Sequence, residues 1–373
     1  MTILTKKSCL ICEPMVTDFK NLCTLRVGGA IANFVRSDQI DELLQAMRTG
    51  TQPLLMLGGG SNTVPSDAEF PGTVIQDARS RIQVKQGSVR LELPDGTTDG
   101  TPQLDIDENQ VLLHVDGGTL WNNLVNYSID NGFAGIEALA GIPGTVGAAP
   151  VQNIGAYGGE VASAIFGLSA YDRSEKRLCY LRHDQLRFSY RNSILKETRS
   201  DGEPSGRWLV LGVDLLLRRD TASNPIAYSQ LAKALDVPLG SRVPIGEVRD
   251  SVVGLRRSKG MVLDDADHDT WSVGSFFTNP ILPAAAALPP QAPRFDAGSG
   301  LVKTSAAWLI EHAGIPKGFA LPGSGAAVST KHVLALTNRG TATGAEIRAL
   351  AKHIQGAVAS VFGIDLIPEP VIL

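Results

Sequence analysis

The chain has 373 residues, of which 43% are hydrophobic and 19% charged, a composition typical of globular proteins with a hydrophobic core. At about 100–200 residues per domain, this length predicts two or three domains. Collagen-like, disordered and small disulfide-stapled classes are excluded. Lys and Arg total 34 against 38 Asp and Glu, for a formal net charge of −4. The chain therefore lacks the basic excess of nucleic-acid-binding proteins, whereas an anionic small substrate is compatible with it.

The sequence indicates a cytoplasmic protein without membrane insertion. No window approaches the ~18 apolar residues of a membrane span, and the apolar stretch near the N-terminus is too short for a secretory signal. Four cysteines are too few to form the disulfide bonds that would stabilise a secreted fold of this size. Cys9 and Cys12 form a CxxC pair, but no second pair follows at zinc spacing, and the six histidines are not at ligand spacing. We therefore predict no metal site.

Apolar residues at helical spacing predict two amphipathic helices in the first part of the chain. One runs from Ile40 to Met47, and another begins at Trp121 and is ended by Gly132.

Short apolar runs predict strands at 54–57, 111–115 and 209–217. Residues 76–110 are polar and dotted with glycine, and they predict irregular strands with a loop at 95–108.

The C-terminal part predicts a surface loop, a long helix and an extended tail. Residues 281–300 are rich in Pro, Ala and Gly, as surface loops often are. Thr343 and Glu346 form a capping box before an apolar face that continues to Phe362. The tail 367–373 then reads as extended chain. Together these elements predict an α+β protein of two or three lobes.

Two glycine clusters suggest binding of a phosphate-containing ligand. Gly58, Gly59 and Gly60 directly follow a predicted buried strand, and a second cluster runs from 141 to 147. Glycine permits positive φ, so successive backbone N–H groups can converge on an anion. Neither cluster is a Rossmann or P-loop motif. Two such loops suit a long ligand with a central diphosphate, although two tightly packed turns would give the same pattern.

Seven segments of the chain resemble the UDP-N-acetylenolpyruvoylglucosamine reductase family, in that family's order. They are TLRVGGAIANFV (24–35), LGGGSN (57–62), GIEALAGIPGTVGAAPVQNIGAYGGEV (135–161), FSYRNSIL (188–195), VGSFFTNP (273–280), AAWLIEHAGIPKG (306–318) and PEPVIL (368–373). Together they span nearly the whole chain.

The resemblance implies a two-lobed FAD-binding region of the vanillyl-alcohol-oxidase (PCMH) type, followed by a C-terminal α+β substrate domain. On this basis we expect one FAD-binding subdomain at 1–76, a second at 77–255 and a UDP-sugar-binding domain at 256–366. The tail 367–373 is expected near the active site.

The resemblance also implies the reaction and the cofactor contacts. NADPH would reduce bound FAD, which would then reduce UDP-N-acetylglucosamine enolpyruvate to UDP-N-acetylmuramate for peptidoglycan synthesis. The protein is expected to act as a monomer. The residues expected to cradle FAD are Gly58, Gly59, Gly60, Ser61 and Asn62 in the first cluster, and Gly141, Ile142, Pro143, Gly144, Thr145 and Gly147 in the second.

Three residues match the family's catalytic positions. Arg191 can hold a substrate carboxylate and spread the charge of an enolate. Ser275 corresponds to the proton donor, which needs a strongly basic acceptor in a dry pocket. Glu369 lies between two prolines and corresponds to the catalytic glutamate, with a raised pKa expected near a substrate carboxylate. Without the resemblance, each of these residues would be assigned a structural or surface role.

Three further residues resemble substrate-binding positions. Tyr228 corresponds to the tyrosine that closes over the substrate in the longer-chain branch of the family. Lys259 and Asn279 correspond to residues that hold the UDP diphosphate.

Two other functions remain open at this stage. One is a different FAD oxidoreductase of the same fold, and the other is a catalytically silent protein that binds a nucleotide sugar. The joint presence of Arg191, Ser275 and Glu369 disfavours both, because neither function needs all three.

Overall fold

The computed structural model describes residues 17–200, 202–286 and 288–373, so the Cys9–Cys12 pair lies outside the described residues. The helices are α1 (Ile40–Thr49), α2 (Trp121–Asp130), α3 (Ile194–Glu197), α4 (Ser229–Leu235), α5 (Ile245–Ser258), α6 (Ala306–His312) and α7 (Gly344–Phe362). The strands are β1 (Thr17–Asp18), β2 (Ala30–Ser37), β3 (Leu54–Met56), β4 (Thr63–Val64), β5 (Phe70–Asp77), β6 (Ile82–Lys85), β7 (Gly87–Arg90), β8 (Gln103–Ile106), β9 (Gln110–Asp116), β10 (Phe133–Ala134), β11 (Gly155–Ala156), β12 (Gly159–Glu160), β13 (Ile165–Asp172), β14 (Arg177–Arg182), β15 (Trp208–Arg219), β16 (Ile281–Pro283), β17 (Phe295–Asp296), β18 (Leu301–Lys303), β19 (Ala326–Val328), β20 (Leu336–Asn338) and β21 (Val371–Ile372).

The first sheet has the strand order β1-β2-β5-β3, with β2, β5 and β3 parallel. Helix α1 connects β2 to β3 and buries Leu43, Leu44 and Met47, which confirms the helix predicted from apolar spacing. Only Leu57 separates the end of β3 from the first glycine cluster. Because β3 is buried on the sheet, the glycine loop that follows it has a rigid base.

The second sheet is antiparallel, in the order β14-β13-β15-β9-β6. Strands β9 and β15 are paired from Val111 opposite Leu217 to Asp116 opposite Gly212. Both are almost entirely buried, which confirms the two apolar runs as core strands. Helices α2 and α5 contribute to the same hydrophobic core.

A polar network lies within this second sheet. The carboxylate of Asp214 accepts a hydrogen bond from the Tyr180 hydroxyl at 2.9 Å and lies 2.7 Å from Nδ1 of His114. Burial, and then the charge of Asp214, raise the pKa of Tyr180, so the phenol stays a proton donor. The polar groups of the three side chains are paired with one another, and Asp214 is almost inaccessible to solvent.

In the C-terminal part, α7 packs against α6 and against the β19–β20 hairpin, and all of these elements contribute to one hydrophobic cluster. The capping box of Thr343 and Glu346 is present, and Gly363 ends the helix in the left-handed conformation. Strand β21 then runs back to pair in parallel with β4. The end of the chain therefore lies directly beside the first glycine loop.

Two loop predictions are wrong in part. Within 281–300, strands β16 and β17 form, and both pair with β18. Within 95–108, residues 103–106 form β8, which pairs with β7. In both places the pairing partner supplies backbone hydrogen bonds that the local composition does not reveal.

The hydrophobic residues fall into separate clusters along the chain. One cluster lies mainly between 111 and 252, and another lies mainly between 273 and 366. The subdomain boundaries at 76, 255 and 366 stay a prediction. Across the described ranges, no helix combines the length and apolarity needed to cross a membrane.

Replacing Asp214 with alanine should destabilise the protein by about 3 kcal/mol, because His114 and Tyr180 would lose their buried partner. The measurement is the free energy of unfolding from urea titration. Asp105 is exposed on β8, and Asp105→Ala should change the same quantity by less than about 0.5 kcal/mol. Equal effects of the two substitutions would contradict a stabilising role for the network.

Candidate active site

The two glycine clusters meet in space, although about eighty residues separate them in the sequence. A Cβ placed on Gly59 would lie 2.8 Å from the Cα of Gly144. The Ser61 hydroxyl donates a hydrogen bond to the Pro143 carbonyl at 3.1 Å. The loops are thus in direct contact, and their approach requires glycine at the point of contact.

One large cavity runs along these two loops. Of the predicted cofactor residues, Ser61, Asn62, Ile142, Pro143, Gly144 and Thr145 line it. Gly58, Gly59, Gly60, Gly141 and Gly147 do not line it. Gly60, at φ +60°, lies so close to the backbone of Leu22 and Cys23 that a side chain would collide with it. These glycines let the backbone of the loops pack tightly beneath the cavity.

Arg191, Ser275 and Glu369 line the same cavity, from three distant parts of the sequence. Oε1 of Glu369 lies 3.4 Å from Nε of Arg191. The backbone N–H of Glu369 donates to the carbonyl of Phe276 at 2.8 Å, so the tail is fixed to the segment that carries Ser275. The structure therefore brings all three predicted catalytic residues together.

The Arg191 guanidinium is held in place by backbone carbonyls. Nη2 donates to the Gly155 carbonyl at 2.6 Å, and Nη1 lies 3.3 Å from the Asn153 carbonyl. Arg191 itself has φ +54°, in a tight turn closed by hydrogen bonds between Ser189 and Asn192. A side chain fixed in this way can bind a carboxylate without losing much conformational entropy.

The Glu369 carboxylate is buried and supported by a relay of amides. Nε2 of Gln152 donates to Oε1 of Glu369 at 3.1 Å, and Asn62 donates to Oε1 of Gln152 at 2.5 Å. Burial raises the pKa of Glu369, and the charges of Arg191 and Lys196 oppose that rise. The carboxyl group therefore keeps its proton to a higher pH than an exposed glutamate would.

Ser275 lies on a turn that is anchored on both sides. Gly274 precedes it with φ +77°, and the next two side chains, Phe276 and Phe277, are fully buried. The N–H of Phe276 donates to the Leu334 carbonyl at 2.7 Å. The hydroxyl of Ser275 is thus presented to the cavity by a rigid backbone.

Tyr228 and Lys259 also line the cavity. Nζ of Lys259 donates to Oε1 of Gln230 at 2.9 Å, and the rings of Tyr157 and Tyr228 meet edge to face with centroids 5.8 Å apart. Burial, and then the charge of Arg256, lower the pKa of Lys259. An anion bound here would relieve the repulsion between the two cations.

Asn279 differs from the other predicted site residues because it does not line the cavity. Its side-chain oxygen accepts a hydrogen bond from the backbone N–H of Ala306 at 3.0 Å, at the first turn of α6. In this structure Asn279 ties α6 to the Ser275 segment. Its predicted contact with a diphosphate stays a prediction.

Several polar residues of the cavity were not assigned to the site from the sequence, among them Gln152, Tyr157, Arg256 and His332. Burial lowers the pKa of Arg256 to about 10, so the guanidinium stays charged. Burial and the nearby Lys259 and Lys317 lower the pKa of His332 to about 4, so the imidazole is neutral near pH 7. Gln152 and Tyr157 lie within the glycine-rich segment that follows the second cluster, which was the one signal in the sequence. His332 had none.

The raised pKa of Glu369 can be tested by the pH dependence of stability. The folded state holds this proton above pH 4.5, the ordinary value, where the unfolded state has released it. The contribution of Glu369 to the free energy of unfolding should therefore fall as pH rises through that window. Glu369→Gln removes the titration, so the variant should gain stability relative to wild type between pH 4 and 8. The gain is about 1.4 kcal/mol for each tenfold increase in proton affinity on folding.

The measurement is urea unfolding across this pH range. Glu311 is exposed on α6, and Glu311→Gln serves as the surface control. A difference between the Glu369 variant and wild type that does not change with pH would contradict the raised pKa.

Two family models match the chain. One is described as the FAD binding domain and matches residues 29–174. The other is described as the C-terminal domain of UDP-N-acetylenolpyruvoylglucosamine reductase and matches residues 265–373. The first match contains both glycine clusters, and the second contains Ser275 and Glu369.

Similar proteins cover nearly the full chain. The UDP-N-acetylenolpyruvoylglucosamine reductase of Thermobifida fusca is 44% identical, over 94% of this chain and 95% of its own length. That of Salinispora arenicola is 43% identical, over 94% of this chain and 93% of its own. A crystal structure of the reductase from Thermus caldophilus matches with a TM-score of 0.60 at 23% identity, covering 95% of this chain and 97% of that one, which supports the fold. The chain belongs to the UDP-N-acetylenolpyruvoylglucosamine reductase family and contains that family's FAD-binding domain.

Proposed function

We propose that this protein reduces the enolpyruvyl group of UDP-N-acetylglucosamine enolpyruvate, with FAD as bound cofactor and NADPH as reductant, in peptidoglycan precursor synthesis. The observation that carries the proposal is the meeting of Arg191, Ser275 and Glu369 in one cavity alongside the two glycine loops. An oxidase of the same fold would not need this set, and a silent binding protein would not need to maintain it.

The residues of the glycine loops fit FAD. The contact of Gly59 with Gly144 leaves no room for a Cβ, so the two loops pack side by side and can both contribute to one binding site for a diphosphate. Ser61, Asn62 and Thr145 add polar side chains along the same cavity. Bound FAD supplies the hydride chemistry, which no protein side chain can provide.

Arg191 is assigned to the substrate carboxylate. Its guanidinium is oriented by the Gly155 and Asn153 carbonyls, and a planar fork matches a carboxylate in two-point contact. As negative charge develops on the enolpyruvyl group, a positive charge already in place stabilises it without reorganisation.

Ser275 is assigned to delivery of the proton. A hydroxyl is a weak acid, but an enolate is basic enough to take its proton in a pocket that excludes water. Burial raises the pKa of Glu369 above its ordinary value, so the carboxyl holds a proton more readily than an exposed glutamate does. Its contact with Arg191 keeps the carboxyl beside the reacting group, where it can polarise the enol ether.

Lys259 and Tyr228 are assigned to the UDP moiety. The ammonium of Lys259 lies near Arg256 and within 5.6 Å of the Tyr157 ring, which gives the cavity a cationic wall suited to a diphosphate. Tyr228 is 43% exposed, so it is free to close over a bound substrate. Asn279 is proposed to support this region through α6.

We further propose that the protein acts in the cytoplasm as a monomer. Cys23 and Cys179 are free thiols, as is usual for cysteines in a reducing compartment. The net charge of −4 gives no support for nucleic-acid binding. Light scattering coupled to gel filtration measures the oligomeric state directly.

Gly59→Ala should weaken retention of FAD, because the added methyl forces the two glycine loops apart. The measurement is the flavin absorbance per mole of purified protein, together with the dissociation constant of added FAD. Gly246 lies in α5, where an added Cβ would have no heavy atom within 4 Å, and Gly246→Ala should retain FAD as wild type does. Full retention in Gly59→Ala would contradict the assigned cradle.

Ser275→Ala should slow the reoxidation of the flavin by the substrate but leave the reduction of the flavin by NADPH unchanged. Under anaerobic conditions NADPH should bleach the flavin at the wild-type rate, whereas reoxidation by the enolpyruvyl UDP-sugar should slow by about 10²–10⁴-fold, as loss of a general acid predicts. Stopped-flow absorbance measures both rates. Ser258→Ala, at the exposed C-terminal end of α5, is the control, and unchanged reoxidation in Ser275→Ala would reject the assignment.

A further inference from the structure

A second cavity, of about 640 Å³, adjoins the candidate active site and shares Glu369 and Arg199 with it. It is bounded by the C-terminal segment 368–373, by residues between 66 and 71, and by Arg199, Ser200, Gly202 and Pro204 after α3. Its volume lies within the range of pockets that bind small molecules. Apart from Glu369, none of the residues assigned to FAD or to the UDP-sugar lines it.

The walls of this second cavity are largely apolar. Among the side chains that form them are Pro53, Phe70, Pro204, Pro370, Val371 and Leu373. Phe70 is held by an edge-to-face contact with Phe19, at a centroid distance of 5.7 Å, and it is itself largely buried. The walls are therefore shaped by rigid groups and suit an apolar molecule.

Arg199 is the unusual feature of the second cavity. Within the described ranges of the chain, its guanidinium makes no hydrogen bond or ion pair, and its Nε is sealed from solvent without an acceptor. Burial alone lowers the pKa of Arg199 to about 10, so the group is still charged at neutral pH. Buried charges are normally paired because leaving one unpaired is costly. An anionic ligand in the cavity would supply a counter-charge for the guanidinium.

Lys196 adds a second cation to the same cavity. Its Nζ donates one hydrogen bond to the Arg191 carbonyl at 3.1 Å, which leaves further N–H donors for a ligand. Among the described residues, the acidic side chains that line the cavity are Glu369, whose pKa burial raises, and Glu69, which is exposed at its edge. Lys196 and Arg199 therefore contribute two cationic side chains to the lining of the second cavity.

We propose that this second cavity binds a small molecule that has one carboxylate and an apolar body. The carboxylate pairs with the Arg199 guanidinium, beside Lys196, and the apolar body packs between Phe70, Pro204 and the C-terminal segment. A single planar anionic group matches the fork of one arginine, whereas the apolar walls would exclude a highly charged phosphate compound. This site is additional to the proposed reductase function and does not depend on it.

The test titrates phenylacetate into the FAD-loaded protein by isothermal calorimetry. Phenylacetamide, which has the same shape without the charge, should bind at least about tenfold more weakly, as loss of a charge-assisted hydrogen bond predicts. Arg199→Met should weaken phenylacetate binding by a similar factor. Arg187 is an ion-paired arginine on the nearby surface, and Arg187→Met should leave the affinity unchanged.

A second variant keeps Arg199 and fills the second cavity. Ala68 is exposed and lines the second cavity, so Ala68→Trp should fill it and abolish phenylacetate binding even if Arg199→Met fails to fold. Because Arg191 could also attract a carboxylate, the titration is repeated with saturating enolpyruvyl UDP-sugar, which should leave phenylacetate bound.

Four results would overturn the proposal: no binding of phenylacetate, equal binding of the acid and the amide, wild-type affinity in Arg199→Met or Ala68→Trp, or displacement by the enolpyruvyl UDP-sugar. The last result would place the probe in the active site. Ser275→Ala kinetics test the reductase function independently, so failure of one proposal is distinguishable from failure of the other.

Discussion

The return of the C-terminal tail to the first glycine loop is the constraint on which the site depends. Strand β21 pairs in parallel with β4, and the Val371 N–H donates to the Asn62 carbonyl at 2.9 Å. That pairing sets the position of Glu369, which is also held by the carbonyl of Phe276 and the amide of Gln152. A tail that did not return would leave Arg191 without its acidic partner and remove one wall of the cavity.

Burial and charge act against each other throughout this region. Although the whole chain is net negative, the cavity concentrates Arg191, Arg256 and Lys259 beside a single glutamate, Glu369. Burial disfavours charge here, which raises the pKa of the acid and lowers those of Arg256 and Lys259. Among the described residues, the cations that line the pocket outnumber the acids, an arrangement that suits a substrate carrying a carboxylate and a diphosphate.

Local sequence patterns predicted those elements whose stabilising contacts are local. The capping box at Thr343 and the apolar spacing from Ile40 specify helices through contacts three or four residues apart. Strands β16 and β17 were missed because their partner, β18, is specified by long-range pairing, and composition alone made 281–300 look like a loop. Sequence patterns therefore revealed most of the core elements but little of the edge structure.

The catalytic residues of the site could be predicted only through the family resemblance. Nothing local to Arg191 distinguishes it from a surface arginine on a turn, because its partners Gly155 and Glu369 lie 36 and 178 residues away.

The amide relay through Gln152 was invisible for the same reason, since it joins residues 217 positions apart. A resemblance carries those distant contacts implicitly, because it matches positions that were selected together. The resemblance gives no information on residues whose surroundings are particular to the packing of this chain.

Arg256 and Lys259 have no ion-pair partner among the described residues, and their hydrogen bonds go to the Met261 carbonyl and the Gln230 side chain. Such cations reduce stability and favour the binding of an anion. A protein selected for stability alone would pair or replace Arg256, whose Nε has no acceptor, and would not keep Lys259 beside it. Because unpaired buried charges destabilise the folded state, their presence in a cavity is consistent with anionic ligands that complete the pairing when they bind. Ligand binding should then stabilise the fold by mass action, and the same groups that weaken the free protein would give the complex its rigidity.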